Sequence, residues 1–255
     1  MDDDEEGGES VRTGCRTLPV RRIAHAGGGI GGQTYTNSRE ALLLNLDHGF
    51  EFFELDFVWT SDNRLVTLHD WNSIARKTFG FEVREIPDEQ RFKQWVREYA
   101  RNENLTLDEL AALMLEQPRL VLVTDIKDRN LEGLRILALT IGDFSQRVIP
   151  QIYSPQEYRP VREIGYRHII WTLYRFPGND REVLKHLRPG VAGRMELFAV
   201  AMPVQRARKR LGLALEKLGI PSYVHTINSA EDFERYRDEL GIDEIYTDFL
   251  APEGN

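Results

Sequence analysis

Leu120-Val121-Leu122-Val123-Thr124-Asp125-Ile126-Lys127 decides the reading of the fold. Four apolar residues open the stretch, and two ionisable side chains two positions apart close it. Such a run, too short for a helix and without polar alternation at its start, reads as a strand buried on both faces, as in a parallel sheet. Outward from it, helical and strand patterns alternate. C-terminal to it lie a helix over 131–141, a strand over 148–153, a helix begun by Pro155 and a strand over 168–173. A helix over 179–187, a strand over 197–201, a helix over 204–218 and a strand over 223–227 follow, then a helix over 230–240 and a strand over 245–247. N-terminal to it lie a helix over 106–115 with Thr106 and Asp108 near its start, and strands over 65–69 and 50–58. Before these come a helix capped by Asn37-Ser38 and closed by Gly49, and a first strand over 22–26. Alternation of this kind through 255 residues predicts an α/β chain folded as a TIM (β/α)8 barrel. Nine strand candidates compete for eight places, so one of the late, short ones is expected to lie outside the barrel. Residues 71–105 are polar and charged, and read as a small, partly helical insertion after the third strand.

Composition narrows the function. The formal charge is −8, which disfavours general nucleic-acid binding, since phosphates call for a basic surface. Six acids, Asp2, Asp3, Asp4, Glu5, Glu6 and Glu9, fall in the first ten residues. A like-charged block of this kind buries nothing, so residues 1–16 read as a disordered acidic tail ahead of a barrel over 17–255. The folded part is then close to neutral. Cys15 is the single cysteine, which excludes an intramolecular disulfide framework and a multi-cysteine metal site. No apolar stretch is long enough for a transmembrane segment, and the polar start is no secretory signal, so the expected location is cytoplasmic. The oligomeric state is not legible.

Ionisable residues gather at the ends of the early strands. His25 ends the first, Glu54 and Asp56 the second, His69-Asp70 the third, and Asp125 and Lys127 the fourth. A parallel barrel brings C-terminal strand ends to one rim, where active sites are built. Glu54 and Asp56 are two apart in a strand and share a face. Their mutual repulsion in an otherwise apolar strand is relieved by a cation, and Asp125 completes an all-oxygen set suited to Mg2+ or Ca2+. His25 and His69 suit acid–base work on a phosphodiester, one taking a proton from the nucleophile and the other protonating the leaving alkoxide. Lys127 shares the face of Asp125 and can hold non-bridging oxygens. Gly27, Gly29 and Gly32 satisfy G-x-G-x-x-G, but Gln33-Thr34-Tyr35-Thr36 intervenes before the next helix, so a nicotinamide-dependent oxidoreductase rests on that match alone. Arg206, Arg208, Lys209 and Arg210 form a basic cluster that reads as a solvated helix face.

His25-Ala26-Gly27, Asn37-Ser38, Glu54-Leu55-Asp56, Leu65 to Asp70, Thr106 to Leu110 and Asp125-Ile126-Lys127 together resemble the glycerophosphodiester phosphodiesterases, of the PLC-like phosphodiesterase superfamily. Val224 to Asn228 and Tyr246-Thr247-Asp248 fall in the same order. The resemblance implies a TIM barrel with an insertion after the H-D block. It also implies metal-dependent hydrolysis of a small-molecule glycerophosphodiester, or a related phospholipid-type phosphodiester, to an alcohol and a phosphomonoester. By resemblance His25 and His69 match the catalytic pair, Glu54, Asp56 and Asp125 the metal ligands, and Lys127 a phosphate contact. Four positions depart from the family pattern. Ala26 stands where an arginine contacts phosphate, Thr36 replaces the glutamate of E-N-T, Asp125 replaces that of E-I-K, and His225 replaces a tryptophan. Aspartate at the fourth strand also occurs in the sphingomyelinase D-like phospholipases, which form one alternative. A catalytically weak barrel that binds a phosphorylated ligand, motivated by Ala26, forms another. His225 is a candidate to replace part of the lost substrate contact.

Overall fold

The structure, a computed structural model, describes residues 18–190 and 193–252. The acidic segment 1–16 and Cys15 lie outside the described residues. Nine strands occur among them: β1 Ile23–Ala24, β2 Phe52–Trp59, β3 Leu65–Thr67, β4 Val121–Ile126, β5 Val148–Ile152, β6 Ile170–Thr172, β7 Ala199–Pro203, β8 Ser222–His225 and β9 Glu244–Thr247. Their order is β1-β9-β8-β7-β6-β5-β4-β2-β3, and β1 also pairs with β2. Eight parallel strands therefore close on themselves, which is the TIM barrel.

The ninth strand is not one of the late ones. β3 pairs only with β2 and runs antiparallel to it, with Phe57 opposite Thr67 and Trp59 opposite Leu65. β2 is eight residues long and overshoots the rim. A tight turn closed by Thr60 N–H to the Arg64 carbonyl (2.9 Å) sends the chain back as β3. Leu68 N–H then donates to the Asp56 carbonyl (3.1 Å), so His69 comes down onto the mouth from above. Residues 71–105 carry helices α2 (Ser73–Phe79) and α3 (Glu89–Tyr99), whose Ala75, Phe79, Phe92 and Val96 pack on Val66 and Leu68.

Helix starts follow the side chains available to cap them. Ser38 caps α1 (Arg39–Asp47) by accepting from Ala41 N–H. Thr106 and Glu109 form a reciprocal capping box at α4 (Leu107–Glu116). Helix α5 (Asn130–Thr140) covers the next crossover. The expected helix over 204–218 is broken in two, Val204–Ala207 and Leu211–Glu216, because Arg210 between them is left-handed (φ +68°). The basic cluster is broken with it. Arg206 turns inward to Asp180 (2.7 Å) and to the carbonyls of Phe176 and Gly178, while Arg208, Lys209 and Arg210 stay exposed.

Strand parity divides the apolar core into two. Ala24, Phe53, Leu55, Leu122, Val148, Trp171, Val200 and Val224 face outward, under the helices. Ile23, Phe52, Val121, Val123, Ile149, Ile170, Tyr223 and Tyr246 fill the barrel floor. Two residues further along each of these inward rows come the side chains of the mouth.

Candidate active site

Inward parity sets the contents of the rim. The row of Ile23 continues to His25, that of Phe52 to Glu54 and Asp56, that of Val123 to Asp125 and Lys127, that of Tyr223 to His225, and that of Tyr246 to Asp248. β2 and β4 pair with Asp56 directly opposite Asp125 and Glu54 opposite Val123. Two carboxylates on adjacent strands, and a third two residues along, are thereby forced together. Glu54, Asp56 and Asp125 are 3%, 2% and 8% exposed. Each offers a carboxylate oxygen within 4.8 Å of the others.

Charge compensation within this cluster is partial. Burial, then the neighbouring Asp56 carboxylate, pushes the Glu54 carboxyl up to about 8, against the pull of His25. Burial works against the Asp56 carboxylate too, but Lys127, His69 and His25 more than offset it and hold its pKa low. Asp125 is raised by burial and by Asp56. Lys127 Nζ pairs with Asp56 and lies 3.5 Å from Asp125 Oδ2, so this lysine offsets part of the carboxylate charge. Tyr153 and Tyr174 donate their hydroxyls to Asp125. A donor set of three buried carboxylates, with one carboxyl pushed well out of its usual range, fits a hard divalent cation.

The two histidines are oriented alike. His25 Nδ1 donates to Asp248 Oδ1 (2.9 Å), and Asp248 is itself held by Asn228 Nδ2 (2.7 Å). His69 Nδ1 donates to Asp70 Oδ2 (2.7 Å), leaving Nε2 4.0 Å from Asp56 Oδ1. In each ring a carboxylate behind Nδ1 fixes the tautomer and frees Nε2 for the mouth, the arrangement of a general acid or base. Burial opposes charge on His25, but the Asp248 hydrogen bond and the carboxylates of Glu54, Asp248 and Asp56 prevail and raise its pKa to about 9.

Ala26 is fully buried and left-handed (φ +50°), and its N–H donates to Glu54 Oε2 (2.8 Å). Backbone there orients a carboxylate and offers no polar side chain. Arg175, in the loop after β6, donates to the Lys127 carbonyl and lies over the Tyr153 ring. His225 ends β8 between Tyr174 and Tyr246, with ring centroids 6.0 and 5.9 Å away. Its buried Nε2 has no hydrogen-bond partner, and burial followed by the His25 charge lowers its pKa to about 4.

All seven residues singled out in the sequence thus stand at one rim. Others were overlooked. Asp248 and Tyr153 were findable, since Asp248 continues the inward row of Tyr246 by two and Tyr153 that of Ile149 by four. Asn37 stands in the sequence reading as part of a helix cap and of the resemblance, with no role at the site, yet its side chain bonds both the Asp56 carboxylate (3.0 Å) and the Asp56 N–H (2.9 Å). No local pattern marks such a contact across 19 residues. The glycine run opens no helix, and α1 starts only at Arg39. Instead a Cβ at Gly28 would meet Asn45 at 2.4 Å, and one at Gly29 would meet Phe249 at 2.1 Å. Close packing accounts for these glycines without a dinucleotide.

No protein-family model and no curated protein sequence matches the chain. Solved structures do. A glycerophosphodiester phosphodiesterase from Thermotoga maritima aligns with a TM-score of 0.66 at 19% identity, covering 91% of this chain and 96% of its own. The chain has the fold of these enzymes. Another glycerophosphodiester phosphodiesterase, from Parabacteroides distasonis, aligns with a TM-score of 0.67 at 18% identity over 89% of this chain and 91% of its own. A phosphodiesterase of Oleispira antarctica, solved with the product sn-glycerol-3-phosphate, aligns with a TM-score of 0.63 at 18% identity over 90% of this chain and 93% of its own. The glycerophosphodiester phosphodiesterase fold therefore extends over nearly all the described residues. Among these, no helix is long and apolar enough to cross a membrane.

Proposed function

We propose that the chain is a divalent-cation-dependent phosphodiesterase that hydrolyses a small glycerophosphodiester to an alcohol and a phosphomonoester. One observation carries this reading. Three buried carboxylates with oxygens within 4.8 Å of one another share a barrel rim with two histidines, each backed by a carboxylate. The solved structures of the same fold that bear the phosphodiesterase name support it.

Glu54, Asp56 and Asp125 hold the cation, Mg2+ or Ca2+. When bound, it supplies charge that orients the diester and stabilises the negative charge added at phosphorus. The nucleophile's oxygen bonds to phosphorus while the bond from phosphorus to the leaving oxygen breaks. One of His25 and His69 accepts the nucleophile's proton through Nε2, and the other gives a proton to the departing alkoxide. Once its partners in the cluster engage a cation, Lys127 is free to turn to a non-bridging oxygen. His225 stands at the rim between Tyr174 and Tyr246 as the candidate for a further substrate contact. Release of phosphomonoester from glycerophosphocholine by the wild type and by a His25→Ala, His69→Ala double variant tests the assignment. Turnover in the first and none in the second is expected. Full activity in the double variant would overturn it.

A further inference from the structure

Tyr35 is the one aromatic side chain among the described residues that touches both histidines. Its ring lies 4.7 Å from that of His25 at 81°, and 5.0 Å from that of His69 at 83°. Both are edge-to-face arrangements, the geometry in which an aromatic pair attracts. His25 ends a barrel strand and His69 ends the β3 return, so two separate elements meet at this ring. The chain accepts an awkward backbone to put it there. Tyr35 has φ +59° and Asn37 φ +49°, a left-handed region that side chains other than glycine rarely adopt. Such conformations persist where the surroundings over-determine them, and they cluster at functional sites. Here the surroundings are explicit. Asn104 Nδ2 donates to the Thr36 carbonyl (2.8 Å), Asn37 N–H donates to the Ala26 carbonyl (3.0 Å), and Ser38 Oγ lies 3.2 Å from Thr36 Oγ1. The phenol hydroxyl has no hydrogen-bond partner among the described residues. The contacts made at this position are those of the ring.

We propose that Tyr35 is a positioning residue whose ring, wedged between His25 and His69, fixes the separation and orientation of the two imidazoles. This rests on the phosphodiesterase reading, because the two rings need a fixed spacing only if they act on one phosphate. The segment between Gln33 and α1 that carries Tyr35 acts on the histidines through this ring, while Asn37, two residues on, holds Asp56. Tyr35→Phe keeps both edge-to-face contacts, whereas Tyr35→Gly removes the ring and suits the left-handed backbone, so it keeps the fold.

The test uses the full chain with Mg2+ and glycerophosphocholine. Tyr35→Gly should lose about tenfold to a hundredfold in kcat, with KM little changed, and Tyr35→Phe should restore kcat. A readout independent of turnover is the imidazole NMR spectrum. The His25 and His69 ring protons should carry ring-current shifts in the wild type and in Tyr35→Phe, and both should lose them in Tyr35→Gly with loss of a single ring orientation. An unchanged kcat in Tyr35→Gly would overturn the proposal. So would a raised kcat/KM, which would make the ring a plug, and so would an equal loss in Tyr35→Phe, which would make the hydroxyl a substrate contact. If the wild type hydrolyses no diester, the phosphodiesterase reading fails by itself, and the ring spectra still decide whether Tyr35 orders the histidines.

Discussion

His225 shows how a single side chain joins stability to the site. Its ring is buried with Nε2 unpaired, and its pKa falls from 6.5 to about 4, first through burial and then through His25. The folded protein therefore resists a proton that the unfolded chain accepts. Stability from this group is complete above pH 6.5 and is lost as pH falls towards 4, by roughly 3 kcal/mol in all. Replacing His225 by Phe should flatten that part of the pH–stability curve, as read from denaturant midpoints at pH 4.5 and 7. An equal slope in wild type and variant would show that the ring is not held neutral. Ala26 shows the opposite case. Where the phosphodiesterases that the sequence resembles carry a guanidinium, a buried methyl group and a backbone N–H to Glu54 stand, so under the proposed function substrate contact comes from elsewhere on the rim.

At the scale of elements, the β2–β3 hairpin sets the geometry of the mouth. Thr67, at the end of β3, donates to the Asn37 carbonyl (2.8 Å) and accepts from Leu105 N–H (2.8 Å), while Asn37 holds Asp56. Thr67→Val leaves the buried Leu105 N–H without its partner and the Asn37 carbonyl with only the longer bond from Asn104 Nδ2 (3.4 Å), and should cost about 1–3 kcal/mol in a urea melt with m unchanged. No change in midpoint would mean that the hairpin is anchored by other contacts. The barrel was legible because strand and helix periods alternate cleanly, and the rim because inward parity repeats every two residues. The direction of β3 was missed, since an apolar triplet such as Leu65-Val66-Thr67 reads alike in both directions. A signal was nevertheless present in Thr60-Ser61-Asp62-Asn63. Four turn residues can join antiparallel strands, whereas a parallel crossover needs a dozen or more. Tyr35 and Asn104, and the contact of Asn37 with Asp56, were illegible for a different reason. Their roles depend on contacts across 10 to 68 positions, to which no local period responds.

For the whole molecule, the balance at the rim links cation binding to folding. Glu54 has a folded pKa of about 8 against an ordinary 4.5, because burial and Asp56 disfavour its charge. In chelator, the native state then binds a proton that the unfolded chain releases, so stability falls as pH rises from about 4.5 to 8. Under the proposed function a divalent ion binds the native cluster and not the unfolded chain, and a hundredfold excess over Kd should return about 2.7 kcal/mol. Glu54→Gln should melt at least as high as the wild type in chelator at pH 8 and gain less on adding Mg2+ or Ca2+. A full cation-dependent gain in this variant would remove Glu54 from the ligand set. The whole-chain charge of −8 gives little guidance here, since most of it belongs to the first ten residues. Under the proposed function, the local grouping of three carboxylates, one lysine and two histidines directs the chemistry. The most direct measurement is release of glycerol 3-phosphate from glycerophosphocholine by the full chain, with chelator and after replacement of the cation. Release that chelator abolishes and Mg2+ or Ca2+ restores is the predicted result. Hydrolysis at the same rate with and without chelator would contradict it.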